Sequence, residues 1–284
     1  MPLRENPTAR QVRLGAELRK LRELAGKAAR ESAGLLSTDQ AKISHIESGR
    51  IGISEERIRR LAIFYSCDDE PLIEALCTIA RESRGQGWWD EYRGVLAPGF
   101  LNIAELEHHA VSLRSVQTMS VPGVLQTEGY VRAIHSTYAA ALSALELDAR
   151  VEFRLRRRRI LERDVPPPFL AVVHEAALRM RFGGRKIAKE QLEFLLLASE
   201  RPTVTVRVIP FTCEEFIEAT YPLMYVRGVV PQLDTVQMDS PAGGIFVTAA
   251  AELNKYRNLI DVAERASLDV EKSRQLIHDI AREL

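Results

Sequence analysis

The stretch S-T-D-Q-A-K-I-S-H-I-E-S-G-R, residues 37–50, reads as one short helix that carries its own start and stop. Asp39 is placed to accept hydrogen bonds from the N–H groups of the first turn, and Gly49 supplies the left-handed residue that ends a helix. Ile43 and Ile46 stand three apart, which makes theirs the buried face. Away from that face lie Gln40, Lys42, Ser44 and His45. Their donors and acceptors reach past a backbone, as a helix needs if it is to read base edges in a DNA major groove. Taken alone, the stretch fits a small polar surface helix of any helical domain equally well, so its neighbours have to decide.

Upstream, the pattern turns helical at Ala9, with Leu14, Leu18, Leu21 and Leu24 or Ala25 on one stripe, and ends at Gly26. A second helix over 28–36 is Ala-rich and thin, suited to close packing against a neighbour. Downstream, Ser54 and Arg57 form an imperfect capping box before Ile58, Leu61, Ala62 and Tyr65, and Pro71 opens a fifth helix through Leu72, Leu76, Ile79 and Ala80. Five short helices make an all-α N-terminal domain, preceded by a loose arm over residues 1–8. The second and third helices meet across 37–39, a connection of the length that a helix-turn-helix uses.

Gly85, Gly87, Trp88 and Trp89 break this pattern and place the domain junction, giving domains 1–84 and 85–284. Beyond it, helices are expected over 102–117, 127–142 and 146–163, with Pro122, Gly123 and the prolines at 166–168 as stops. Short β-branched or alternating runs follow at 169–173, 203–209, 223–226, 233–238 and 245–248, with helices at 186–200, 249–265 and 270–283. The second domain is therefore read as mixed α/β with a small sheet.

An apolar content of 46% in 284 residues excludes wholesale disorder and allows about two domains. Lys plus Arg equals Asp plus Glu at 39 each, so total charge says nothing about a polyanionic partner; the first sixty residues carry an excess of about five positive charges. Cys67, Cys77 and Cys213 show no metal spacing and fit a reduced, cytoplasmic compartment. No apolar run approaches the roughly 18 residues of a membrane span, and with no charged-then-apolar pattern in the first residues a signal segment is not expected.

Candidates for other chemistry are thin. The basic run Arg150, Arg154, Arg156, Arg157, Arg158, Arg159 and Arg163 is read as a solvated helix paired with Glu146, Asp148, Glu152 and Glu162. A second phosphate-contacting surface is the alternative. Glu105 with His108 or His109 could share a metal, but adjacent histidines point to different helix faces, and His174-Glu175 lacks the second His of a zinc-protease helix. No metal, cofactor or enzymatic activity is expected. Trp88 and Trp89 either wedge the two domains together, which is the favoured reading, or divide, one inward and one on a partner surface. Gly183-Gly184 and Gly243-Gly244 read as turns.

The combination of L-R-K-L-R-E-L-A-G with A-K-I-S-H-I-E-S-G-R resembles the Xre and lambda-repressor type of helix-turn-helix, whose recognition helix closes on the same S-x-I-E-x-G signature. The resemblance implies a DNA-binding set of Thr38, Asp39, Gln40, Ala41, Lys42, Ser44, His45 and Arg50. Asp39 and Gln40 would open the helix, Gln40, Ala41, Ser44 and His45 face bases, and Lys42 and Arg50 lie near phosphates. The chain departs from that pattern at Ala28, Ala29 and Ser32, where a Ser or Thr cap, a phosphate-touching Gln and a core Leu are usual; a core contact and a phosphate contact are therefore expected to be missing. W-W-D-E-Y (88–92), V-P-G-V-L-Q-T-E-G-Y (121–130), H-E-A-A-L-R (174–179) and T-V-R-V-I-P-F (205–211) resemble the antitoxin-like helix-turn-helix regulators of actinobacteria. That resemblance implies a regulatory second domain and a small companion protein encoded nearby. Together they imply a homodimer on a pseudo-palindromic operator in double-stranded DNA.

Overall fold

The computed structural model describes residues 3–82, 87–136, 143–215, 221–240 and 243–284. The expected junction at 84/85 lies outside them. Five helices form the N-terminal region: α1 (Ala9–Leu24), α2 (Ala29–Leu35), α3 (Gln40–Glu47), α4 (Glu55–Phe64) and α5 (Glu70–Arg81). Most starts are those the caps predict. Asp39 accepts from the Lys42 N–H, Ser54 from Arg57 and Asp69 from Leu72, while Thr8 and Gln11 close a capping box on α1. Leu14, Leu18, Ile43, Ile46, Ile58, Leu61 and Leu76 fill the core between them.

The second region continues with α6 (Pro98–His108), β1 (Ser112–Gln117), α7 (Glu128–Ser136), α8 (Ala144–Arg157), β2 (Phe169–His174), α9 (Glu175–Arg179), α10 (Arg185–Ala198) and β3 (Val204–Ile209). It closes with β4 (Leu223–Arg227), β5 (Thr235–Ser240), β6 (Gly243–Val247), α11 (Ala250–Ala266) and α12 (Val270–Glu283). The strands form one six-stranded mixed sheet in the order β3-β2-β1-β4-β5-β6. β1, β2 and β3 run parallel, and β4, β5 and β6 are antiparallel to their neighbours. Leu192, Leu195, Ile277 and Ile280 of α10 and α12 pack on one face, with Phe169, Ala171 and Val173. Leu253, Ile260 and Ala263 of α11 cover the other, with Val116 and Val172.

Several expectations need correction. The helix read over 102–117 stops at His108, and its last third is β1, the strand between the two halves of the sheet. Gly243 and Gly244 belong to β6 and not to a turn, whereas Gly183 and Gly184 have positive φ and do turn the chain into α10. The arginine run is built into the tertiary structure and is not simply solvated. Arg157 is buried and doubly hydrogen-bonded to Glu107 at 2.8 and 2.6 Å, Arg156 pairs with Glu91 at 2.5 Å and lies over the Trp88 ring, and Arg154 donates to Gln126. Of the expected acidic partners, Asp148 pairs with Arg132 and Glu162 with Arg201. Trp89 is buried, and the Trp88 ring meets Phe153 in a tilted contact with centroids 5.1 Å apart.

The two regions are joined by more than the chain. Val230 and Leu233, on the loop between β4 and β5, enter the core of the helical region. Gln232 donates to Asp69 at 2.7 Å and accepts from Arg13 of α1, and Arg13 also donates to the Thr248 carbonyl at 3.0 Å. Asp234 holds the loop in shape by accepting from Tyr225 and from the Gly228 N–H.

Candidate nucleic-acid interface

α3 divides as its sequence predicts. Ile43 and Ile46 are buried, and Gln40, Ala41, Ser44 and half-buried His45 form an outward face, with Lys42 on its flank and Arg50 exposed beyond the helix end. Among the described residues, no hydrogen bond or ion pair engages the side chains of Gln40, Lys42, Ser44, His45 or Arg50. Their donors and acceptors are open to an outside partner. Asp39 is placed differently: its carboxylate accepts the Lys42 N–H at 2.7 Å, which ties it to the helix start. Thr38 is half-buried and donates its backbone N–H to Ala33 at 2.9 Å, and Ser37 before it has φ 49, so the turn between α2 and α3 is closed by a left-handed serine.

The helix is held from behind by α1. A Cβ on Gly15 would come within 2.5 Å of the Ile46 and Glu47 carbonyl oxygens, so α1 meets the end of α3 backbone to backbone. Gly49, at φ +74, ends the helix as expected, and a Cβ on it would come within 2.8 Å of the Gln11 carbonyl oxygen. Arg22 clamps the same end with two hydrogen bonds to Glu47, at 2.6 and 3.0 Å, and a third to the Lys27 carbonyl. The Glu47 bonds hold the Arg22 guanidinium more firmly protonated. Glu47 carries no role in the sequence reading beyond the signature itself. Its partner stands 25 residues earlier, and no spacing rule joins them. The arm is also docked where looseness is expected: Arg4 donates its N–H to Arg50 and its guanidinium to the Gly49 carbonyl.

α2 is better supported than its composition suggests. Ala28 offers no side-chain cap, but the Glu31 carboxylate reaches back to the Ala28 N–H at 2.7 Å. Ser32, which stands where a core Leu is usual, is fully buried, and its hydroxyl meets the Tyr65 phenol at 2.8 Å. The expected missing core contact is thus replaced by a buried hydrogen bond. Burial pushes the Tyr65 phenol up, so it stays protonated and available as a donor.

Elsewhere, His174 caps α9 by accepting the Ala176 N–H at 3.1 Å, and Glu175 accepts from Phe211 and Arg179. Among the described residues, no group of three or more His, Cys, Asp or Glu is placed to hold a metal ion, and no helix is long and apolar enough to cross a membrane.

The fold and this face define a DNA-binding regulator of the helix-turn-helix class. Residues 13–76 match the model of a helix-turn-helix domain, and residues 100–279 match that of a domain of unknown function, DUF5753. The second match spans more than half of the chain, and the protein belongs to the DUF5753 family. No curated protein and no solved structure matches it.

Proposed function

We propose that the protein is a sequence-specific transcriptional regulator of the Xre type, in which α3 enters the major groove of a pseudo-palindromic operator. The observation that carries this reading is the uncommitted polar face of a helix otherwise clamped by Arg22, Gly15 and its own isoleucines. Gln40, Ala41, Ser44 and His45 meet base edges, Lys42 and Arg50 meet phosphates, and Thr38 and Asp39 set the entry of the helix. The homodimer follows from scale. One short helix reads a few base pairs, and each good contact supplies about 1–3 kcal/mol of discrimination, so two half-sites are needed for a useful specificity ratio.

The DUF5753 region supplies dimerisation and senses a ligand or a small companion protein encoded nearby, as the antitoxin-like resemblance implies. Insertion of Val230 and Leu233 into the helical core supports this, because anything that displaces that loop also disturbs the packing around α1. The reading assigns the region no enzymatic step. A rival role, an antitoxin-like protein that sequesters the companion with DNA binding secondary, would draw on a weakly supported α2. The Ser32–Tyr65 bond and the Glu31 cap weaken that ground.

Replacing Gln40 and His45 with Ala should remove the preference for DNA upstream of the chain's own gene, measured by anisotropy against scrambled duplex, with the circular dichroism spectrum unchanged. Unaltered specificity would show that α3 does not read sequence. Co-purification of the neighbouring gene's product by a chain lacking residues 1–84 would locate the companion site on the second region.

A further inference from the structure

Where α1 faces the sheet region, the structure forms a cavity of about 350 Å³ that is open on one side to solvent. Its walls come from both regions: Val12, Arg13 and Ala16 of α1 on one side, Glu105 and Leu106 of α6 with Val226 and Phe246 of the sheet on the other. Most of this lining is apolar, yet one polar group in it, the Glu105 carboxyl, is left short of partners. Arg13 is committed: its Nε is buried away from the cavity space, and its two terminal nitrogens are engaged by carbonyls of the second region. The Glu105 carboxyl has one hydrogen bond, from the Thr8 hydroxyl at 3.2 Å, and no salt bridge among the described residues. Arg10 is committed to Glu82 through two hydrogen bonds, at 2.7 and 2.8 Å, and acts on Glu105 only at a distance.

We propose that this cavity binds a small, uncharged amphipathic molecule, with an apolar body against Val12, Leu106 and Phe246 and a hydroxyl, N–H or carbonyl group facing the Glu105 carboxyl. The size, the largely apolar lining and the few convergent polar groups at a domain seam are those of small-molecule sites. Buried donors and acceptors are costly when unpaired, and a ligand with that head group would pair the Glu105 carboxyl. A neutral ligand fits better than an ionic one. The Arg13 charge is already balanced by Glu17 at 3.4 Å with Asp234 nearby, and burial holds the Glu105 carboxyl up at about 7, where it serves as donor or acceptor. Occupancy would be felt at the DNA face, because α1 carries both the cavity wall and the backbone contact of Gly15 with the end of α3. This inference rests on the regulator reading only for that last consequence.

The test uses the full chain and two uncharged fluorescent probes, N-phenyl-1-naphthylamine, which offers an N–H, and 6-propionyl-2-dimethylaminonaphthalene, which offers a carbonyl oxygen. Both should bind with blue-shifted emission. Ala16→Trp, at an exposed α1 position on the cavity wall, should weaken both at least tenfold while leaving the melting temperature unchanged. Glu105→Leu, which removes the donor and the acceptor while keeping the bulk, should weaken both probes. Failure of either probe to bind the unaltered chain, or equal affinity in Ala16→Trp, overturns the proposal. A parallel titration with operator DNA separates the two readings. If the chain shows no preference for that DNA, the regulator reading fails and the probe titrations still decide the cavity. If DNA binding is specific but indifferent to saturating probe, coupling of the cavity to α3 is overturned.

Discussion

The Ser32 hydroxyl and the Tyr65 phenol oxygen lie 2.8 Å apart, one on α2 and the other at the end of α4, and neither residue exposes more than 5% of its surface. A polar pair of this kind is tolerated in a core because each partner satisfies the other. Removing one leaves the other buried and unpaired.

Ser32→Ala and Tyr65→Phe should therefore each cost about 1–3 kcal/mol, while the double variant should cost less than the sum of the two. Ser32→Leu restores the side chain usual in the Xre pattern but overfills a site built for a hydroxyl, so it should also destabilise. Urea midpoints of the four variants check this. A stabilised Ser32→Leu would mean that the hydroxyl has no partner in solution.

Gly15 and Gly34 both lie within helices and have opposite surroundings. A Cβ at 15 meets the Ile46 and Glu47 carbonyls at 2.5 Å, and one at 34 meets nothing within 4 Å. Gly15→Ala should cost about 1–3 kcal/mol by forcing α1 from α3, and it should reduce DNA affinity. Gly34→Ala should stabilise by about 0.5–1 kcal/mol through helix propensity alone. Thermal melts of the two variants should move in opposite directions.

Lys42 and Arg50 are assigned to phosphates, which makes their effect on binding dependent on salt and indifferent to sequence. Each Ala substitution should reduce the slope of log affinity against log salt by about 1 and weaken specific and scrambled duplex alike. Gln40→Ala should leave the slope unchanged and lose discrimination. Reversed behaviour would exchange their roles.

Acid should destabilise the fold between about pH 6.5 and 4. His135 is 8% exposed, and burial, aided by Arg154 and Arg150, pulls its imidazole from 6.5 down to about 4; His109 is pulled to about 4 in the same way by burial and Arg10. As pH falls through this window the unfolded chain takes up protons that the folded chain refuses, so stability is lost. Glu105, raised from 4.5 to about 7, acts in the opposite sense, since the folded form keeps a proton that the unfolded form releases. Two groups outweigh one. His135→Phe should shrink the fall in melting temperature between pH 7 and 4.5, and an unchanged fall would assign the acid sensitivity elsewhere.

Local signals made the helical region legible. Asp39, Ser54 and Pro71 open helices, Gly49 closes one, and the isoleucine pair of α3 marks its buried face, because caps and helical periodicity act within a few residues. β1 was not legible. Leu113 and Val116 stand three apart, which mimics a helix, yet Leu113 packs into the core under α10 and α12 and Val116 into the core under α11. A strand covered on both faces loses the alternation that identifies strands in sequence. The arginines of α8 misled for a related reason: acidic residues near them in sequence suggested local pairs, and the fold supplies Glu107 and Glu91 from α6 and the 88–92 turn.

By itself the sequence determined the helix-turn-helix, the direction in which α3 presents Gln40, Ser44 and His45, and the mixed character of the second region, since each depends on residues adjacent along the chain. Only the tertiary structure decided what braces α3, what replaces the missing leucine in α2 and how the two regions meet. The Arg22–Glu47 clamp, the Ser32–Tyr65 bond and the entry of Leu233 into the helical core join residues 25, 33 and more than 150 positions apart. Contacts at such separations leave no period or spacing to read, because they arise when already-formed elements bury their faces against one another.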